Sequence, residues 1–261
     1  LKGNFRYNFS WWGVDKHYKQ NELGYFNFRD HQRFSSRISY QILNEYGFLR
    51  EYSNYLWFND TRTFHSFDRK LWGLRFGNDF STQNLMVFEA DFAYSSKTRD
   101  YDKPRTINRF IEEPENFQSK LVMQSNKNKD FSYRIQWNNF AYFEEDFEEQ
   151  KSQNRLNLSM LYRFSEQFSL ALKSNHLDFK DDVGYLKTIN QDIYFGRRYI
   201  RSVENNINLS YFFDSKKWIN LRLRNYWSRA KYDQTLFRLN DNGKRTETDF
   251  SILDFDPDTN F

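Results

Sequence analysis

The chain has 261 residues, enough for one barrel domain or a couple of small globular ones, and a net charge of +4. Phe, Tyr and Trp make up 21% of it, against only 9 Gly and 3 Pro. That composition excludes disorder, which lacks aromatic residues, and disfavours helix, which Phe, Tyr and Asn support poorly. Cysteine is absent, so disulfides and thiolate metal sites are excluded, and no basic block or nucleic-acid motif accompanies the small net charge.

No apolar run reaches the length of a transmembrane helix; Leu85–Phe88 is typical of the longest. This does not exclude a membrane protein, because a barrel strand needs only about 9–11 residues, of which every second one is apolar. Its mean hydropathy is therefore low, as it is here.

Period-two alternation runs along the whole chain. Phe5, Tyr7, Phe9 and Trp11 alternate with Arg6, Asn8 and Ser10, and Ile38, Tyr40 and Ile42 with Arg37, Ser39 and Gln41. Trp72, Leu74 and Phe76 enclose Gly73 and Arg75, and Phe88, Ala90, Phe92 and Tyr94 enclose Glu89, Asp91 and Ala93. Phe117, Leu121 and Met123 predict the next strand, followed by Phe131, Tyr133, Ile135 and Trp137 around Arg134. Leu156, Leu158, Met160 and Tyr162 precede Arg163; Ile207, Leu209 and Tyr211 alternate with Asn208 and Ser210; Ile219, Leu221 and Leu223 alternate with Arg222 and Arg224.

Short turns are predicted at Asn44–Gly47, Ser81–Asn84, Asn126–Asp130, Ser165–Gln167 and Asp214–Lys217. Between them fall longer polar segments, Gly13–Glu22, Asn59–Lys70, Lys97–Glu115, Glu144–Asn154, Asp178–Thr188 and Lys231–Thr248. Outer-membrane barrels alternate short periplasmic turns with long external loops, whereas Greek-key sandwiches lack this rhythm. The expected fold class is all-β: one domain over residues 1–261, an antiparallel up-and-down transmembrane β-barrel, incomplete, with about twelve strands present and further strands expected outside them. The pairs Trp11 and Trp12, Trp57 and Phe58, Phe140 with Tyr142 and Phe143, and Tyr226 and Trp227 are expected at aromatic girdles. The abrupt ends, Leu1 and the Asp256-Pro257-Asp258 stretch before Phe261, suggest an internal segment of a longer protein.

The segment Asn190-Gln191-Asp192-Ile193-Tyr194-Phe195-Gly196-Arg197-Arg198, then Val203-Glu204-Asn205, then Leu221 to Ser228, resembles a barrel family of Bacteroidetes outer membranes whose function is largely unassigned. The resemblance implies a bacterial outer-membrane location and a missing N-terminal domain like the family 9 carbohydrate-binding modules. It carries over no catalytic residue.

Candidate lumen-lining residues are Arg37, Arg75, Glu89, Asp91, Arg134, Arg163, Arg222 and Arg224, a mixed-charge set that forms cross-barrel ion pairs or sets the selectivity of a pore. Arg197, Arg198 and Arg201 are candidate external contacts to an anionic ligand or lipopolysaccharide phosphates; pairing with carboxylates such as Asp192 or Glu204 is the simpler expectation. The acidic run Glu144–Glu149 and the pair Asp181-Asp182 suit calcium, but without a dedicated loop a solvated repelling face is expected. His17, His31, His65 and His176 show no metal-ligand spacing, and His31 lies near Ser35 and Ser36 only along one strand, which does not create the cross-strand dyad a hydrolase needs, so neither a metal, a cofactor nor an enzyme is expected. Loop aromatics Phe64, Phe67, Tyr101, Phe110, Phe143 and Phe147 either stack on sugars or pack on each other.

The expected function is therefore a porin-like barrel that binds or passes a solute or glycan. The alternatives are a non-conducting structural component of an outer-membrane complex and a soluble β-sandwich binding module. Expected partners are outer-membrane lipid, lipopolysaccharide, other envelope proteins and glycan, with no nucleic acid.

Overall fold

A computed structural model of the chain describes residues 4–18, 30–106, 109–143, 147 and 149–249. The described residues form strands and no helix: β1 (Phe5–Val14), β2 (His31–Ile42), β3 (Leu49–Arg62), β4 (Arg69–Thr82), β5 (Val87–Ser95), β6 (Thr98–Asp100), β7 (Ile111–Glu113), β8 (Glu115–Gln124), β9 (Phe131–Phe143), β10 (Ser152–Arg163), β11 (Phe168–Ile189), β12 (Asp192–Phe212), β13 (Trp218–Leu239) and β14 (Arg245–Glu247). They make one 12-stranded antiparallel meander, β1-β2-β3-β4-β5-β8-β9-β10-β11-β12-β13-β14, and a separate β6–β7 ribbon. The sheet does not close: β1 has a single neighbour, and β14 covers only Phe237–Leu239 of the outer edge of β13.

Each predicted short turn is a strand connection. The long segments fare differently. Asp178–Thr188 is not a loop; β11 and β12 run on past it as a hairpin whose tip is Asn190-Gln191. Both tip residues have positive φ, 48° and 74°, the twist-matched geometry of a two-residue hairpin turn. Lys231–Thr248 likewise contains the end of β13 and β14, and Lys97–Glu115 contains β6 and β7. Polarity misled here, because these extended strands are covered by other loops. Parts of the predicted loops Gly13–Glu22 and Glu144–Asn154, with Glu144, Glu145, Asp146 and Glu148, lie outside the described residues, as does the Asp256–Phe261 end.

Directly paired residues share a face, so the register sorts every side chain. One face carries Phe5, Tyr7, Ile38, Tyr40, Leu56, Phe76, Phe92, Leu121, Trp137, Leu156, Leu172, Ile207 and Leu223. Its side chains are open to the surroundings: Phe5 is 74% exposed, Ile38 51% and Leu223 55%. From Val203 to Tyr211 the apolar alternation covers roughly 26 Å of strand, at about 3.3 Å per residue. The other face is polar, and the buried apolar side chains on it in the sheet body are small, Ala93 and Val122. A two-sided soluble sheet would instead bury one of its faces.

The register also corrects the girdle assignment. Adjacent residues point to opposite faces, so of each predicted pair only one member lies on the apolar face: Trp11, Phe58 and Trp227 do, while Trp12, Trp57 and Tyr226 lie on the polar face.

The packed core sits at the long-connection end. Ile111 of β7 packs with Val183 of β11, Ile193 and Phe195 of β12, and Phe237 and Leu239 of β13, with Phe147 and Tyr185 against them. This cap is where the extended β11–β12–β13 strands meet the loops.

Candidate functional site

The polar face of β2–β9 carries a continuous charge network. Glu89 and Asp91 alternate along β5, so both carboxylates point to that face. Lys120 of the neighbouring strand β8 donates to both, at 2.7 Å to Glu89 and 3.2 Å to Asp91. Arg134, one strand further on β9, donates two hydrogen bonds to Glu89, each 3.2 Å, and one to Gln124. On the other side the Tyr55 hydroxyl donates to Asp91, and the Arg37 guanidinium sits 4.0 Å over the Tyr55 ring. Gly77 makes room for that ring: a Cβ there would meet Tyr55 carbons at 2.2 and 2.3 Å. A glycine opposite an aromatic residue in a strand pair lets the ring lie flat across the backbone.

Beside the network is a recess of about 170 Å³, lined by Arg75, Asp91, Gln118, Lys120, Asn138 and Phe140. Arg75 Nε is a buried donor without a hydrogen-bond partner, although its guanidinium faces Trp57 at 5.8 Å. Buried donors are normally satisfied, so this unmet donor beside the recess marks a place where an acceptor would be held.

The register puts every residue expected to line a lumen on this polar face. They do not form one cluster. Arg163 donates to the carbonyls of Lys127 and Lys129, tying the β8–β9 turn, both at 3.0 Å. Arg224 pairs with Glu204 at 2.8 Å and Arg222 donates to Asn206 at 3.3 Å, at the β12–β13 edge of the sheet.

The candidate external arginines each have a carboxylate nearby. Arg197 donates to Asp233 at 2.5 Å and to Thr235 at 2.8 Å; Arg198 donates to Asp182 at 2.7 Å and to the Tyr232 hydroxyl at 2.9 Å; Arg201 reaches Asp178 at 3.4 Å. The partners differ from those expected, because the register of the extended hairpin sets opposite strands against one another, and Asp192 faces Arg238 instead, at 3.9 Å. Gly184 lies beneath Arg198, whose guanidinium carbon would be 2.5 Å from an added Cβ.

Within the cap, Glu113 accepts from Lys103 and from Lys151, each at 2.5 Å. Burial opposes ionisation of Glu113, but the two ammonium groups overcome it and hold its pKa at about 2. Lys151 loses more to burial than Glu113 returns, so its pKa is lowered. The two cations thus dominate at Glu113, whereas burial, helped by repulsion from Lys103, dominates at Lys151. Asp181 and Asp182 are separated by their partners: Asp181 accepts from the Gln150 amide at 2.9 Å, while Asp182 takes Arg198.

Five of the six candidate loop aromatics make ring contacts within the protein, while Phe143 is the last residue of β9 and is 51% exposed. Phe64 meets Trp11, Phe67 meets Phe34, Phe110 meets Tyr101, and Phe147 meets Phe237 at 4.9 Å.

Polar residues interrupting the apolar face bond to one another. Asn139 donates to Asn154 at 2.9 Å, and Asn54 and Asn78 donate to the Tyr52 hydroxyl at 3.1 and 2.8 Å. Ser174 donates to Asn205 at 2.6 Å and lies 2.9 Å from His176 Nε2. Sequence reading missed this last group because Ser174 and His176 share a strand, and only the register brings Asn205 opposite them. With its single proton given to the amide carbonyl, Ser174 accepts from His176, the reverse of the polarity of a nucleophile and its base.

The family model described as "Domain of unknown function (DUF5916)" matches residues 1–261. The chain belongs to the DUF5916 family. No curated protein and no solved structure matches it. For this DUF5916 chain the polar-face network and its recess are the strongest candidate site.

Proposed function

We propose that this DUF5916 chain forms part of a transmembrane β-barrel in the outer membrane of a bacterium, a Bacteroidetes species by the resemblance in its Asn190–Ser228 region. The observation that carries the reading is the apolar face of the sheet: large hydrophobic side chains stand exposed on strand after strand while charged residues pair on the opposite face. In water such a face is far larger than monomeric proteins tolerate; in lipid it is the expected surface. The mutual hydrogen bonds of Asn139 with Asn154 and of Ser174 with Asn205 support it, because polar groups in lipid must find partners within the protein.

In this reading the polar face lines the lumen, and outer-membrane lipid with lipopolysaccharide surrounds the barrel. The open edges at β1 and β13 are completed by strands beyond the described sheet, since lipid does not accept a free edge. The recess between Arg75 and Phe140 offers an unmet donor, amide groups and an aromatic ring, a combination that suits a hydroxyl-rich solute such as a glycan. No chemistry on that solute is proposed. The full-length protein should require detergent for extraction and should conduct ions in a planar bilayer; extraction into plain buffer as a monomer would overturn the membrane reading.

A second reading is favoured by the self-satisfied network of Glu89, Asp91, Lys120 and Arg134 and by the packed cap around Phe195 and Phe237. Here the barrel is non-conducting and serves as an anchor for other envelope proteins. A silent bilayer recording together with stable co-purification of such partners would favour this over the first reading.

A further inference from the structure

The structure brings together two histidines far apart in sequence. His17 lies in the turn after β1, and His65 lies in the β3–β4 loop, with the imidazole centroids 6.1 Å apart. The Asp15 carboxylate sits between them: Oδ1 is 3.0 Å from His17 Nδ1, and Oδ2 is 3.3 Å from His65 Nε2. One ligand atom from each of the three residues can be chosen so that all lie within 4.8 Å of one another.

We propose that Asp15, His17 and His65 bind a single first-row divalent transition metal ion of the zinc type, with Asp30 orienting His65 from behind. Zinc takes imidazole nitrogen and carboxylate oxygen at about 2.0–2.2 Å, which places tetrahedral ligand atoms about 3.3–3.6 Å apart. Each histidine lies near that spacing from one of the two Asp15 oxygens, and with a single oxygen as the shared ligand all three atoms lie within 4.8 Å, so closing the site needs a shift of only about 1 Å. Imidazole ligands select zinc, copper or nickel over calcium and magnesium, which prefer all-oxygen sites.

Asp30 is the independent support. Its Oδ1 accepts the backbone N–H groups of Phe64 and His65, both at 3.0 Å, and so is fixed relative to the loop. The same oxygen faces His65 Nδ1 at 3.6 Å. At 3.6 Å the carboxylate lies just beyond hydrogen-bond distance, and a small turn of the ring brings the Nδ1 proton onto it and leaves Nε2, the atom facing Asp15, as the free lone pair. This carboxylate–histidine–metal relation is the usual outer support of a zinc histidine. The three ligands leave a fourth position for water or a side chain. The ion would clip the exit of β1 to the β3–β4 loop across β2. The proposal does not depend on the membrane reading.

The test is Zn²⁺ binding to the chelator-treated full-length protein in detergent, measured by competition with a chromogenic chelator, with Co²⁺ absorption as a second readout. One ion per chain and visible d–d bands of a four-coordinate site are expected. His17→Ala and His65→Ala should each weaken binding at least about tenfold, and Asp30→Asn about 10–100-fold, the range for lost outer support. His176→Ala, remote from the cluster, should bind as the parent does, and an unchanged strand circular dichroism spectrum shows that each variant has folded. No stoichiometric binding by the parent, or equal binding by parent and His65→Ala, overturns the proposal. So does an equal loss in His176→Ala, which would mark adventitious surface binding.

Discussion

Arg245 donates to Glu149 at 3.0 Å, and both side chains are shut off from solvent, 6% and 0% exposed. The guanidinium also lies against the touching rings of Phe147 and Phe237, 4.9 and 4.7 Å from their centroids. Removing one partner of a buried ion pair costs about 3–5 kcal/mol. Arg245→Ala should therefore loosen the cap while leaving the sheet body intact. Limited proteolysis should cut the variant first between β13 and β14 or near residue 149; a digestion pattern identical to the parent's would remove the pair from the list of cap supports.

Acid should open the same cap through Glu113. Its pKa in the fold is about 2, below its ordinary value of 4.5. A carboxylate with a depressed pKa contributes stability that is fully present above the ordinary value and is lost as pH falls toward the folded one. The contribution is at most about 3 kcal/mol, part of it offset by the cost of burying Lys151. Cap stability should thus be flat near neutrality and decline between about pH 4.5 and pH 2, and Glu113→Gln should flatten that decline. Hydrogen exchange of the β7 and β10 amides against pH measures both.

Leu158 and Asn157 are neighbours on β10 that face opposite ways, Leu158 beside Ile135 and Asn157 beside Gln136. Under the membrane reading Leu158→Arg should cost about 2–4 kcal/mol if it lies near the bilayer midplane, whereas Asn157→Arg should be nearly neutral. Urea titration of the protein folded into lipid vesicles gives both values. Equal costs would contradict the assignment of faces to lipid and lumen.

The Glu89–Lys120–Asp91 arrangement sets a sign for conduction. Lys120→Met leaves two carboxylates without their shared cation and should turn a conducting barrel toward cations; Glu89→Gln removes the carboxylate that Lys120 and Arg134 share and should turn it toward anions. Reversal potentials in a salt gradient should move in opposite directions. Gly77→Ala should push the Tyr55 ring off Asp91 and cost about 1–3 kcal/mol, as overpacked sites do. A thermal unfolding midpoint unchanged from the parent's would mean the ring relocates freely.

Strand alternation was legible from residues alone, because Phe5–Trp11 or Leu156–Tyr162 repeats at period two whatever lies on either side. The short turns were legible for the same reason, being breaks in that period. The extended hairpin was not: Asp178–Thr188 is polar, and its strand character comes from Ile111 and Phe147 arriving from distant loops to cover Val183 and Phe195. The network around Glu89 was legible as a set of charges on one face, but its partners depend on register, which alternation does not specify. His17 and His65 meet only because β1 and β3 flank the same strand, and no local spacing encodes that.

The unpaired edges of the sheet act as a template. A strand that pairs with the free side of β1 must present apolar residues opposite Phe5, Tyr7, Phe9 and Trp11 and polar ones opposite Arg6, Asn8 and Ser10, or the two faces would scramble across the seam. A strand on the free side of β13 must do the same for Ile219, Leu221 and Leu223 against Asn220, Arg222 and Arg224. Any neighbour of these edges, a further strand or the opposite edge of the same sheet, is thus specified in pattern and phase by the strands already in place, and a candidate closing sequence can be accepted or rejected by reading its parity.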